Sequence, residues 1–143
     1  MPKRDPSTEA PGRSPQDPAA APRSTILVVD DEAGVRVMVA RMLSLNGYAV
    51  VSAQSGEEAL AIVQDYAAPI DLVLTDVRMP EMSGPELVGR LLALRPGIRV
   101  MYMSAYSRDV LPPGVQDTDV PFLTKPFTMR TLALSVTETL RRT

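Results

Sequence analysis

The chain has 143 residues, 45% of them hydrophobic and 22% charged, which is enough for one globular domain with a real core and too few for two. It contains no cysteine and no histidine, so disulfides, thiol catalysis, zinc–thiolate sites and all Ser-His or His-metal chemistry are excluded. The net charge of −2 gives no basic footprint for nucleic acid, and no apolar run approaches the ~20 residues that span a bilayer.

Residues 1–24 stand apart. They hold six of the fourteen prolines (Pro2, Pro6, Pro11, Pro15, Pro18 and Pro22) and no large apolar residue besides Met1. Such a segment buries too little surface to offset its ordering entropy and reads as a disordered tail, more plainly idle than a docking motif. The opening "MPKRDPSTEA" has no hydrophobic stretch after its basic residues, so no secretory signal is expected. A cytoplasmic domain over 25–143 is the expectation.

From Thr25 the pattern changes. "ILVV" (26–29) is a fully apolar, β-branched run, the mark of a strand covered on both faces. Val35, Met38, Val39, Met42 and Leu43 then recur at helical spacing, and Gly47 stops the helix. "AVVSA" (49–53) is a second strand. "SGEE" (55–58) is a capping box, Ser55 with Glu58, opening a helix with Ala59, Ile62, Val63 and Tyr66 inward. "LVLT" (72–75) is the third strand, and "SGPE" (83–86) is a second capping box leading into Leu87, Val88, Leu91 and Leu92. "IRVMYMS" (98–104) and "PFLT" (121–124) are the fourth and fifth strands. Thr128 caps a last helix whose inner side carries Met129, Leu132, Ala133, Val136 and Leu140.

Strand starts recur about every two dozen residues, the length of one strand plus one crossover helix. Five such units with right-handed crossovers predict an α/β fold: a five-stranded parallel sheet, doubly wound by helices on both faces. One unit departs from the pattern. Pro112, Pro113 and Gly114 cannot sit inside a helix, so the fourth helix is short or irregular, about Ser107 to Leu111.

In an open parallel sheet, ligands bind beyond the C-terminal ends of the strands. Asp30 and Asp31 follow strand one, Asp76 strand three, Ser104 strand four and Lys125 strand five. Singly, each has an ordinary reading: a helix N-cap, a loop hydroxyl, a surface lysine. Together they put three acids, a hydroxyl and an ammonium on one rim. Like charges ~4 Å apart at an effective dielectric near 20 repel by about 4 kcal/mol per pair, so a raised pKa or a cation is required. All-oxygen ligation by few carboxylates suits Mg²⁺, and a carboxylate beside such an ion is a competent nucleophile toward phosphorus. Beyond the tail the chain has ten arginines and a single lysine, Lys125. A compact ammonium there does what a guanidinium fork does not. Pro126 follows it, and the Lys125–Pro126 bond is a candidate for the cis form.

The segments "ILVVDDE" (26–32), "DLVLTDVRMPEMSGPEL" (71–87), "VMYMSAYS" (100–107) and "FLTKPF" (122–127) together resemble a response-regulator receiver domain, the phosphoacceptor module of two-component signalling. The resemblance covers residues 25 to about 141. It implies that Asp76 takes a phosphoryl group from a phosphohistidine, forming an aspartyl phosphate. Asp31, Asp76 and the Arg78 carbonyl would ligate Mg²⁺, with Asp30 acting mainly through water. Ser104 and Lys125 would each meet a phosphoryl oxygen, and Phe122, shortly before the lysine, matches an aromatic switch position. The implied partners are a sensor histidine kinase or histidine phosphotransfer protein and a downstream protein target. No membrane or direct nucleic-acid binding is implied, and the state is a monomer or a weak phosphorylation-dependent dimer. Such a module catalyses only its own phosphorylation and dephosphorylation and is no enzyme in the usual sense. Two positions that tune phosphoryl loss in the family carry the bulky residues Arg78 and Tyr106 here.

Three other readings compete. A pseudo-receiver would share the fold and dock without phosphorylation, although all five chemical residues are present. A haloacid-dehalogenase-type phosphatase wants two aspartates spaced by one residue after the first strand, whereas Asp30 and Asp31 are adjacent. A flavin-binding module wants a hydroxyl-rich phosphate loop that strand one does not lead into. Only "RRT" follows the last helix, so a stand-alone receiver or one cut from a hybrid kinase is expected.

Overall fold

The computed structural model describes residues 24–65, 69–107, 111 and 119–141. In chain order these form β1 (Thr25–Val29), α1 (Ala33–Leu45), β2 (Ala49–Ala53), α2 (Gly56–Asp65), β3 (Leu72–Asp76), α3 (Gly84–Leu94), β4 (Arg99–Ser104), β5 (Phe122–Thr124) and α4 (Met129–Arg141). All pairings are parallel, and the sheet order is β2-β1-β3-β4-β5. The doubly wound α/β architecture is therefore the one the strand spacing predicts. The tail before Ser24, Tyr66, and the expected helix and loop around Pro112–Gly114 lie outside the described residues.

Period-two alternation along each central strand divides the core into two layers. Leu27 and Val29 of β1, Val73 of β3, and Val100 and Tyr102 of β4 face one side, packing with Ala59 and Val63 of α2 and Leu87, Val88 and Leu91 of α3. Ile26, Val28, Leu72, Leu74, Met101 and Met103 face the other side, against Val39 and Leu43 of α1 and Leu132 and Val136 of α4. Both faces being covered explains why these strands read as unbroken apolar runs.

The helix ends show local chemistry acting as expected, with one shift. After α1 the backbone reverses in a Schellman motif: Gly47 adopts φ +92°, its N–H bonds the Ser44 carbonyl, and the Tyr48 N–H bonds the Leu43 carbonyl. At α3 the capping box is complete, with Ser83 Oγ accepting from the Glu86 N–H and Glu86 Oε1 accepting from the Ser83 N–H. At α2 only half of it forms. Ser55 Oγ accepts from the Glu58 N–H, but Glu58 Oε1 takes the N–H of Gln54 instead of Ser55. Thr128 Oγ1 accepts from the Thr131 N–H and so caps α4.

Three residues expected on inner helix faces are exposed: Met38, Leu92 and Met129. Met38 and Leu92 sit at the edges of their apolar stripes, and Met129 lies in the first turn of α4, ahead of the first buried position, Leu132. Thr139 takes a buried place instead, its hydroxyl satisfied by the Ser135 carbonyl one turn back. Among the described residues no helix is long and apolar enough to cross a membrane.

Candidate functional site

The strand order reverses between β1 and β3, whose crossovers leave toward opposite faces, and the crevice at that switch is where a doubly wound sheet binds ligands. Asp30 and Asp31 leave β1 there, and Asp76 ends β3 beside them. One carboxylate oxygen from each of the three lies within 4.8 Å of the others. Asp30 and Asp76 are buried, while Asp31 is exposed at the mouth.

Asp30 is held on every polar atom. Its N–H bonds the Ala53 carbonyl at 3.2 Å, one carboxylate oxygen accepts from the Glu32 N–H at 2.9 Å, and the other accepts from Lys125 Nζ at 2.8 Å. Its carbonyl accepts from Arg36 Nη1 at 2.7 Å. Lys125 also reaches Asp76, at 3.3 Å, so one ammonium bridges two of the three acids. The lysine is placed by its own backbone: its N–H bonds the Ser104 carbonyl at 2.7 Å, and its peptide bond to Pro126 is cis. Ser104, buried at the end of β4, accepts the Tyr106 N–H on its hydroxyl at 3.0 Å.

Among the described residues, the three clustered carboxylates are met by one ammonium, that of Lys125. Burial pushes the Asp76 carboxyl above its ordinary value; Lys125 opposes that rise and Asp30 adds to it. For Lys125, burial alone would lower the ammonium, but its hydrogen bond to Asp30 and the charges of Asp76 and Asp30 outweigh burial and hold it above its ordinary value. Hard oxygen donors with a net negative charge are the donor set Mg²⁺ takes, so these residues fit that ion.

Two residues beyond Asp76, the Arg78 guanidinium lies 4.6 Å from the centre of the Tyr106 ring. Phe122 is half-buried and packs against the α2/α3 side of the core. Two contributors went unseen in the sequence, Arg36 and Gly84. Gly84 opens α3 with its N–H on the Val77 carbonyl, and a Cβ there would stand 2.4 Å from the Asp76 carbonyl oxygen. A cavity of about 560 Å³ between the C-terminal ends of α2 and α3 lies at the opposite, N-terminal edge of the sheet, beside Asp71 and Arg99, and takes no part in this cluster.

The sheet order β2-β1-β3-β4-β5 with helices on both faces is a flavodoxin-like α/β fold, with the acids clustered at its switch point. The model of the response regulator receiver domain matches residues 26–137, and the chain belongs to that family. It is 39% identical over 120 residues to the sensor kinase CckA of Brucella abortus (strain 2308), an overlap of 83% of this chain and 13% of that protein. The crystal structure of the receiver domain from the hybrid histidine kinase CckA superposes with a TM-score of 0.70 at 38% identity, over 82% of this chain and 100% of that one. The response regulator TrrA of Thermotoga maritima, crystallised with Mg²⁺ and BeF, superposes with a TM-score of 0.69 at 30% identity, over 80% and 97%. The chain spans about half or less of the length of the curated relatives it matches.

Proposed function

We propose that this receiver is a working phosphoacceptor. It takes a phosphoryl group on Asp76 from the phosphohistidine of a sensor histidine kinase or histidine phosphotransfer protein, and so changes a surface read by a downstream protein. The observation that carries this is the bridging of Asp30 and Asp76 by Lys125 beside a third carboxylate, Asp31. An oxygen of Asp76 attacks phosphorus, the P–N bond breaks, and the imidazole leaves with its electron pair and takes up a proton. Asp30, Asp31, Asp76 and the Arg78 carbonyl are the residues that would hold Mg²⁺, which when bound supplies positive charge to the transferring oxygens. Lys125 meets a phosphoryl oxygen once the acyl phosphate forms, and the Ser104 hydroxyl turns from the Tyr106 N–H to another. Phe122, packed beside β4 without a hydroxyl to strand, follows into the space so freed. The receiver is proposed to comprise 25–143, with 1–24 as a tail, and to work in the cytoplasm.

The test is incubation with acetyl phosphate and Mg²⁺. One phosphate per chain, labile to hydroxylamine, is expected in the parent and none in Asp76→Asn. No incorporation into the parent makes the chain a pseudo-receiver, and turnover that persists in Asp76→Asn comes from another group; either outcome ends the proposal.

The Arg78–Tyr106 stack gives a second expectation. A cation over an exposed aromatic ring is worth about 0.5–1 kcal/mol, so ordering the pair over Asp76 slows water's approach to the acyl phosphate by about two- to fivefold. Arg78→Ala/Tyr106→Ala should lose its phosphate that much faster, followed as the decay of the labelled protein. Decay at the parent rate refutes the shielding role.

A further inference from the structure

The first turn of α1 contains a cation where helix electrostatics disfavours one. Arg36 is half-buried near the positive end of the helix dipole; the turn itself holds no acidic residue, and the acids beside it, Asp30, Asp31 and the N-cap Glu32, all precede the helix. A local rule broken beside a functional site marks a residue kept for the site. The guanidinium reaches back six residues to the Asp30 carbonyl at 2.7 Å. That carbonyl belongs to the peptide joining Asp30 to Asp31, so the bond sets the plane from which the Asp31 side chain departs. Asp30 needs no such help, its carboxylate being fixed by the Glu32 N–H and Lys125. Asp31 is exposed, and one of its carboxylate oxygens lies within 4.8 Å of those of the other two acids.

We infer that Arg36 is the positioning residue of the metal loop: it locks the Asp30–Asp31 peptide and thereby presents the Asp31 carboxylate to Mg²⁺. This rests on the metal reading of the acid cluster given above. The inference has a sign that a plain charge effect lacks. As a nearby cation, Arg36 repels Mg²⁺, and removing it would tighten binding. As a positioning residue its removal weakens binding, because Asp31 is no longer pre-aimed.

The experiment is calorimetric titration of the full chain with MgCl₂, with melting followed in parallel. Arg36→Met is expected to raise the Mg²⁺ dissociation constant about tenfold, the size seen when an outer-shell partner of a metal ligand is lost. Arg36→Lys, which keeps the charge and one donor but not the planar fork, should fall between the two. An unchanged or lower dissociation constant in Arg36→Met overturns the inference. Should that variant fail to fold, an Arg36→Lys constant equal to the parent's overturns it instead. A parent chain that binds no Mg²⁺ at all brings down the metal reading together with this inference, and so is told apart from a failure of Arg36 alone.

Discussion

Replacing Lys125 by methionine should lower the stability of the metal-free protein at neutral pH by about 3 kcal/mol, the low end for stripping one partner from a buried ion pair. The low end applies because the site opens to solvent at Asp31, whereas Asp30 has no exposure and Asp76 little. Methionine keeps the stem's packing and removes the charge that bridges the two acids. For a domain of this size that loss lowers the melting midpoint by roughly 10 °C. The pH dependence follows from the direction of the lysine's shift. Lys125 is held above its ordinary 10.5, so its contribution is complete below that value and is lost as pH rises through the higher folded-state value. The gap between parent and variant should therefore close in strong alkali. Asp76 behaves in the opposite sense: burial raises it above its ordinary 3.8, so its ionisation opposes folding at neutral pH. Adding Asp76→Asn to Lys125→Met should return part of the lost stability. Mg²⁺ should stabilise the Lys125→Met variant more than the parent, since it meets more uncompensated charge. Thermal unfolding across pH, with and without MgCl₂, measures all of these. A Lys125→Met melting curve that overlays the parent's at pH 7 would show the ion pair to be idle.

How far the sequence carries the reader depends on whether a feature is set along the chain or across it. The strands are legible because both faces are buried, so "ILVV" and "LVLT" need no partner to declare themselves. The convergence of Asp30, Asp31, Asp76 and Lys125 is legible for a related reason: each ends or follows a strand, and parallel order sends all those ends to one rim. Helix faces are less so. Met38 and Leu92 satisfy helical spacing yet stand at stripe edges, and Thr139 is buried because a hydroxyl can bond its own helix, a compensation that hydrophobicity does not register. Glu58 choosing Gln54 over Ser55 is a matter of ångströms within one turn. Arg36 and Gly84 act on backbone atoms of Asp30 and Asp76, and a contact to a carbonyl leaves no trace in the identity of the residue contacted. The signals that existed were indirect: a cation in a first helical turn, and a glycine directly after an N-cap serine.

Gly84→Ala should be damaging although every local rule favours it. Alanine is the better helix former by about 1 kcal/mol, and Gly84 does not need a left-handed backbone. What opposes it is space. The added methyl would lie 2.4 Å from the Asp76 carbonyl oxygen and 3.0 Å from Val77 Cα, both backbone atoms that no rotamer change can move. Relief requires the start of α3 or the Asp76–Val77 peptide to retreat by about 1 Å, and overpacking of this kind typically costs 1–3 kcal/mol. The net loss should be about 1 kcal/mol once helix propensity is subtracted. The larger effect falls on chemistry. The carbonyl being pushed is that of Asp76 itself, which the Thr75 hydroxyl steadies at 3.0 Å, and the Gly84 N–H on Val77 sits one residue on. A displacement of that size at a reacting group costs on the order of 10²-fold in rate. Phosphorylation of Gly84→Ala by acetyl phosphate should therefore slow far more than its stability falls. A variant that melts lower but accepts phosphate at the parent rate would mean the strain escapes into α3 and leaves Asp76 in place. If both are unchanged, the close approach of α3 to β3 is looser in solution than these distances require.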